Sequence, residues 1–145
     1  MQAAVFDAFG EPSDVLHCRE RPEPDVDGKA VVRMLASPVN PSDLMTVRGV
    51  YSVRPDPPAV PGYEGVGVVE SGGGLLGRFH KGKRVAVLNA EGGNWAEKVA
   101  VPANSPAAIM DIRISSSILA RAKGHKVRDV FCLPSAGANR FRFYG

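Results

Sequence analysis

Residues 36–69 read A-S-P-V-N-P-S-D-L-M-T-V-R-G-V-Y-S-V-R-P-D-P-P-A-V-P-G-Y-E-G-V-G-V-V, and the order of signals in this stretch decides the fold. Asn40 suits a helix N-cap, Pro41 carries the φ preset for the first helical position, and Asp43 places negative charge at the third, where main-chain N–H groups lack partners. Gly49 ends the helix. Tyr51 then follows a rigid element of two turns, where a phenol is held at a fixed place and angle. Pro55 to Pro61 suit neither helix nor central strand and must cross as an extended loop. From Gly62 the glycines fall at 62, 65 and 67 between Val66, Val68 and Val69, which reads as a strand whose start lets another backbone approach closely. These glycines are no dinucleotide fingerprint. That motif follows a strand and opens a helix, whereas here a β-branched run comes next and ends at Gly72, Gly73 and Gly74.

Outward from this stretch the chain is strand-rich. Lys29 to Ala36, with V-V-R-M-L-A, leads into the capped helix. Before it, Ala3 to Phe6 and Val15 to Arg21 are expected to pair as an antiparallel hairpin around the turn Phe9-Gly10-Glu11-Pro12, and Pro22 to Gly28 form a charged loop. After it, Leu75 to Gly82 read as a connection anchored by Leu76 and Phe79, and Lys83 to Leu88 as a strand. Glu91 to Asn94 form a turn, and Trp95 to Val101 make a strand closed by Pro102. Six or seven short strands and one short helix predict a mainly β (α+β) fold, a partly open β-barrel. Beyond Ser105 the pattern changes: Ile114, Ile118, Leu119 and Ala122 fall at helical spacing, Ser115 to Ser117 offer an N-cap, and Val127 to Leu133 read as a strand. The terminal R-F-R-F-Y-G fits no pattern.

V-N-P-S-D-L, R-G-V-Y and P-G-Y-E-G-V-G-V-V, followed by G-K-R-V-A-V-L-N and G-N-W-A-E, closely resemble the N-terminal catalytic domain of zinc-free medium-chain dehydrogenases/reductases, in the branch of quinone oxidoreductases and 2-enoyl thioester reductases. The resemblance runs from Met1 to about Val101 and implies a GroES-like barrel over residues 1–104. I-L-A-R-A-K-G-H-K-V, from Ile118, is similar to the helix and strand that open the family's nucleotide-binding domain. Serines 115 to 117 stand where the glycine turn belongs, so residues 105–145 are expected to be an incomplete remnant of a Rossmann domain or an irregular tail.

The resemblance implies an NADPH-dependent oxidoreductase domain that reduces the activated C=C bond of a trans-2-enoyl thioester, as in fatty acid metabolism. A quinone substrate is the alternative. Tyr51 is the implied proton donor after hydride transfer, with Asn40 beside the donors that stabilise the oxygen. Read without the family, Asn40 is a cap, Tyr51 a packing residue, Glu64 an acid supporting its loop, and Trp95 core or wall. A further alternative is a truncated, non-enzymatic barrel that acts as a binding domain or homodimer. The isolated chain is expected to be inert, because the glycine turn that holds a pyrophosphate is not among its motifs.

Composition narrows the partners. With 145 residues and 44% hydrophobic content, the chain can bury one sizeable core. The net charge is +3, and the basic runs at Arg78 to Arg84 and Arg121 to Arg128 lack interleaved aromatics, so they read as solvated faces and not as a nucleic-acid surface. Cys18 and Cys132 form no C-x-x-C pair and imply no disulfide framework. No apolar run approaches the roughly 20 residues of a spanning helix. Cytoplasmic location is therefore expected, and the family leaves a mitochondrial one open. Zinc is not expected: His17, His80 and His125 are scattered, and zinc-containing relatives place a cysteine where this chain has Pro41 and Ser42, and a histidine where it has Tyr63.

Overall fold

A computed structural model describes residues 1–72 and 80–102, together with the backbone of residues 109–111, 131–134 and 141–144. The chain opens with β1 (Gln2–Phe6), a single helical turn α1 (Pro12–Val15), and β2 (Leu16–Glu20). Strands β1 and β2 pair antiparallel from Gln2 opposite Glu20 to Phe6 opposite Leu16, which is the hairpin the sequence predicts. The connection between them is more ordered than a turn. Pro12 sits in the first turn of α1 with Asp14 beside it, so a preset φ and an acidic group favour one helical turn there.

The main body is built on β3 (Lys29–Pro38), which precedes α2 (Pro41–Val47). There follow β4 (Glu64–Gly72), β5 (Arg84–Leu88), β6 (Lys98–Pro102), β7 (Ile109–Asp111), β8 (Phe131–Pro134) and β9 (Phe141–Tyr144). They form one sheet in the order β7-β5-β4-β3-β8-β9, with β6 also on β3, and every pairing is antiparallel. Nine strands are thus described where six or seven are expected. One addition, β9, lies in the terminal R-F-R-F-Y-G, and another is β7 on the edge of β5.

The expected strand from Trp95 begins only at Lys98, because Trp95 and Ala96 turn toward β1. The Ala4 N–H donates to the Trp95 carbonyl at 2.8 Å, and Ala3 bridges Ala96. The helical spacing around Ile114 to Ala122 and the anchors Leu76 and Phe79 fall outside the described residues.

Alternation places the core. Ala30, Val32 and Met34 of β3 pack with Val69 of β4, Val85 and Val87 of β5, and Val99 and Val101 of β6. Burying each of these valines contributes about 1.5–3 kcal/mol relative to leaving it in water. The same alternation turns Gly65 and Gly67 of β4 inward. A Cβ at Gly65 would meet the Met34 side chain and Ser37 Oγ, and one at Gly67 would meet the Arg33 carbonyl, so β4 can lie close on β3 only with glycine at both places. On the outer face, Arg33 of β3 stands opposite Lys98 of β6, a like-charge pair that would repel. Glu70 sits between them, 3.0 Å from Arg33 and 3.3 Å from Lys98.

Candidate functional site

The structure gathers the residues of interest where α2 meets the start of β4. Asn40 has extended φ and ψ and precedes Pro41, as an N-cap should. Its main-chain N–H donates to Asp43 Oδ2 at 2.7 Å, so one unpaired donor of the helix start is satisfied by the third residue of the helix. The second oxygen of the same carboxylate reaches across to β4, where Oδ1 accepts the Tyr63 N–H at 3.1 Å. Asp43 is fully buried, and burial pushes its pKa above the ordinary value, against the two backbone N–H groups that favour the anion.

Thr46 lies one turn further along α2, on the same face as Asp43. Its hydroxyl donates to the Ser42 carbonyl at 3.0 Å and lies 2.5 Å from the Tyr63 hydroxyl. The Tyr63 ring in turn contacts the Tyr51 ring, with centroids 5.7 Å apart and planes inclined by 48°. Burial raises the Tyr63 pKa against the hydrogen bond to Thr46, which lowers it, and Tyr51 and Asp43 add to the rise. The Tyr51 hydroxyl has no hydrogen-bond partner among the described residues. Asn40 reaches the same strand start by another route, its Nδ2 lying 3.4 Å from Glu64 Oε2.

Both sequence-derived candidates therefore converge on the consecutive residues Tyr63 and Glu64. These two line a cavity of about 670 Å³ together with Lys29, Leu88, Asn89 and Glu91. Tyr51 and Asn40 stand behind that lining, each one contact away from it. Trp95 is core, as its bulk implies. It is buried under Gly62, where its indole occupies the space a Cβ would need and the φ of +103° itself favours glycine, and its Nε1 donates to the Pro38 carbonyl at 3.1 Å. Glu64 is exposed, and its carboxylate accepts from the Asn40 amide. The sequence reading does not single out Thr46. The signal for it is present as Asp43 and Thr46 at a spacing of three, which puts both on one helical face. Among the described residues no three His, Cys, Asp or Glu side chains converge as a metal site.

A strand-rich barrel with a short capped helix entering a glycine-punctuated strand is what the comparisons match. The sequence model of the alcohol dehydrogenase GroES-like domain matches residues 26–111, more than half of the chain. The chain belongs to that family. This GroES-like domain is 39% identical over 95 residues to the mitochondrial enoyl-[acyl-carrier-protein] reductase of Arabidopsis thaliana, a match covering 65% of the chain and 25% of that protein. Among solved structures, the quinone oxidoreductase from Coxiella burnetii superposes with a TM-score of 0.67 at 27% identity, covering 77% of this chain and 36% of that one. The quinone oxidoreductase from Thermus thermophilus, also known in complex with NADPH, gives a TM-score of 0.61 at 31% identity, covering 86% and 42%. The GroES-like domain thus spans less than half the length of each of these relatives, and with them it stands in the oxidoreductase branch of the family.

Proposed function

We propose that this chain is the substrate-side domain of an NADPH-dependent oxidoreductase that reduces the C=C bond of a trans-2-enoyl thioester. The observation that carries this reading is the Tyr51 phenol, whose ring rests against Tyr63, a residue of the cavity lining, while its hydroxyl stays uncommitted among the described residues. The mitochondrial enoyl-[acyl-carrier-protein] reductases among the relatives support the substrate class.

Saturating such a bond adds a hydride at the β-carbon and a proton at the α-carbon. The described residues do not fit the hydride donor. Neither α1 nor α2 opens from a glycine turn that could hold a pyrophosphate, since Glu11 and Asn40 occupy the cap positions. The chain's share is the proton side. Tyr51 Oη holds a proton that a neighbouring enolate carbon can take, and the Asn40 side-chain amide supplies an N–H donor toward an enolate oxygen. Residues 1–104 form the GroES-like unit in this reading.

Quinone reduction is the second reading, favoured by the named solved relatives. It places both new hydrogens on a ring system with oxygen acceptors and makes no demand for a proton aimed at carbon. The two separate in a fusion where residues 1–104 replace the matching segment of the Thermus thermophilus quinone oxidoreductase. NADPH consumption with crotonyl thioester is expected, and Tyr51→Phe should lower that turnover by about 10²-fold with NADPH affinity unchanged. Turnover of a simple quinone alone, insensitive to Tyr51→Phe, would overturn the thioester reading.

A further inference from the structure

We infer that Tyr63 is a positioning residue, clamped at both ends by α2, that fixes the Tyr51 ring and leaves Tyr51 as the phenol of the pair with a proton to give. This rests on the role given to Tyr51 above. The inference starts from the direction of the hydrogen bonds. Thr46 Oγ1 has one proton, and it goes to the Ser42 carbonyl, a group that can only accept. The 2.5 Å contact between the Thr46 and Tyr63 hydroxyls therefore runs with Tyr63 as donor. The Tyr63 proton is committed to a buried acceptor inside the helix side of the site.

The rest of Tyr63 is equally committed. Its N–H donates to the buried Asp43 carboxylate at 3.1 Å, and its carbonyl accepts the Asn89 N–H at 2.8 Å. Asp43 and Thr46 are 0% and 2% exposed, so the two side chains that grip Tyr63 are themselves fixed by packing. The two main-chain bonds would hold any residue at this position, and it is the hydroxyl bond to Thr46 that fixes the ring itself. The fixed ring is the surface against which Tyr51 leans. The Tyr51 backbone is tied to α2 just ahead of it, where the Gly49 and Val50 N–H groups donate to the Thr46 and Met45 carbonyls at 2.9 and 3.0 Å, and its ring takes its lateral support from Tyr63. Displacements near 1 Å at a reacting group cost about 10²-fold in rate, which is why such a brace has a chemical effect.

The test uses the 145-residue chain with ring-labelled tyrosine, the signals of Tyr51, Tyr63 and Tyr144 being assigned by single substitutions to phenylalanine. Thr46→Val removes the acceptor and keeps the shape, Thr46→Ser restores a hydroxyl, and Tyr63→Phe keeps the ring. The expected result is a nuclear Overhauser contact between Tyr51 and Tyr63 in the parent chain and in Thr46→Ser. In Thr46→Val it should be lost and the Tyr51 signal should change, and in Tyr63→Phe the Tyr51 signal should change likewise. The core methyl spectrum is the check that the fold persists. Should Thr46→Val unfold the chain, the Tyr63→Phe spectrum decides. A Tyr51 signal indifferent to the surviving variants would overturn the inference. If instead Tyr51 responds as described while Tyr51→Phe leaves thioester turnover of the fusion unchanged, the proton-donor reading fails and the brace stands.

Discussion

Asp43 is a single buried carboxylate asked to join two elements. Its two oxygens accept from Asn40 N–H on the helix and Tyr63 N–H at the strand start, at 2.7 and 3.1 Å. An amide has only one acceptor oxygen, so Asp43→Asn sets an N–H₂ donor against one of two buried N–H donors. The expected loss is about 1–3 kcal/mol, the scale of one unsatisfied buried donor, read from a urea midpoint. The pH dependence has a definite sign. Burial raises the folded-state pKa of Asp43, so the fold prefers the neutral acid. That contribution is complete below the unfolded carboxylate value near pH 4 and is lost as pH rises through the folded one. Thermal melts of parent and Asp43→Asn at pH 3.5 and 7 should therefore differ more at the lower pH. A difference that grows toward neutrality would show that the two N–H bonds outweigh burial.

At the scale of elements, β4 shows how glycine placement and strand packing depend on one another. Gly67→Ala puts a methyl group against the Arg33 carbonyl, on a strand that carries β4, β6 and β8 and cannot retreat. Overpacking of this kind costs about 1–3 kcal/mol. Gly28→Ala has the opposite character: nothing lies within 4 Å of the added Cβ, and only the φ of +62° resists it, at about 1–2 kcal/mol. Denaturant melts should rank Gly67→Ala the more damaging, and the reverse order would mean that β3 yields. Elements of this kind are the legible part of the sequence. The cap at Asn40, the stop at Gly49 and the alternation of β3 to β5 are local chemistry, and all of them appear where the spacing puts them. The Tyr51–Tyr63 contact is different, since its partners are twelve residues apart across a proline-rich loop and no periodicity connects them. Lys98 as the start of β6 was hidden for a related reason, because Trp95 and Ala96 are claimed by β1, more than 90 positions away.

For the whole molecule, the proposed function gives this chain the proton side of the reaction, and neither described helix opens from a glycine turn that could cradle the cofactor. Calorimetric titration with NADPH should give no saturable heat at micromolar concentrations. A micromolar dissociation constant would show that residues of this chain build a nucleotide site by themselves. The main sheet is joined through β3, while β1 and β2 form a separate hairpin fastened mainly by Ala3 to Ala96 and Phe6 to Ala59. Trp95 lies at that fastening and also beneath Gly62, next to Tyr63. It is the chain's one tryptophan, and it is 1% exposed. Its emission is thus a built-in optical gauge: blue-shifted and shielded from acrylamide while the hairpin is docked, excited by energy transfer from the neighbouring tyrosines, and altered by whatever settles against the lining at Tyr63.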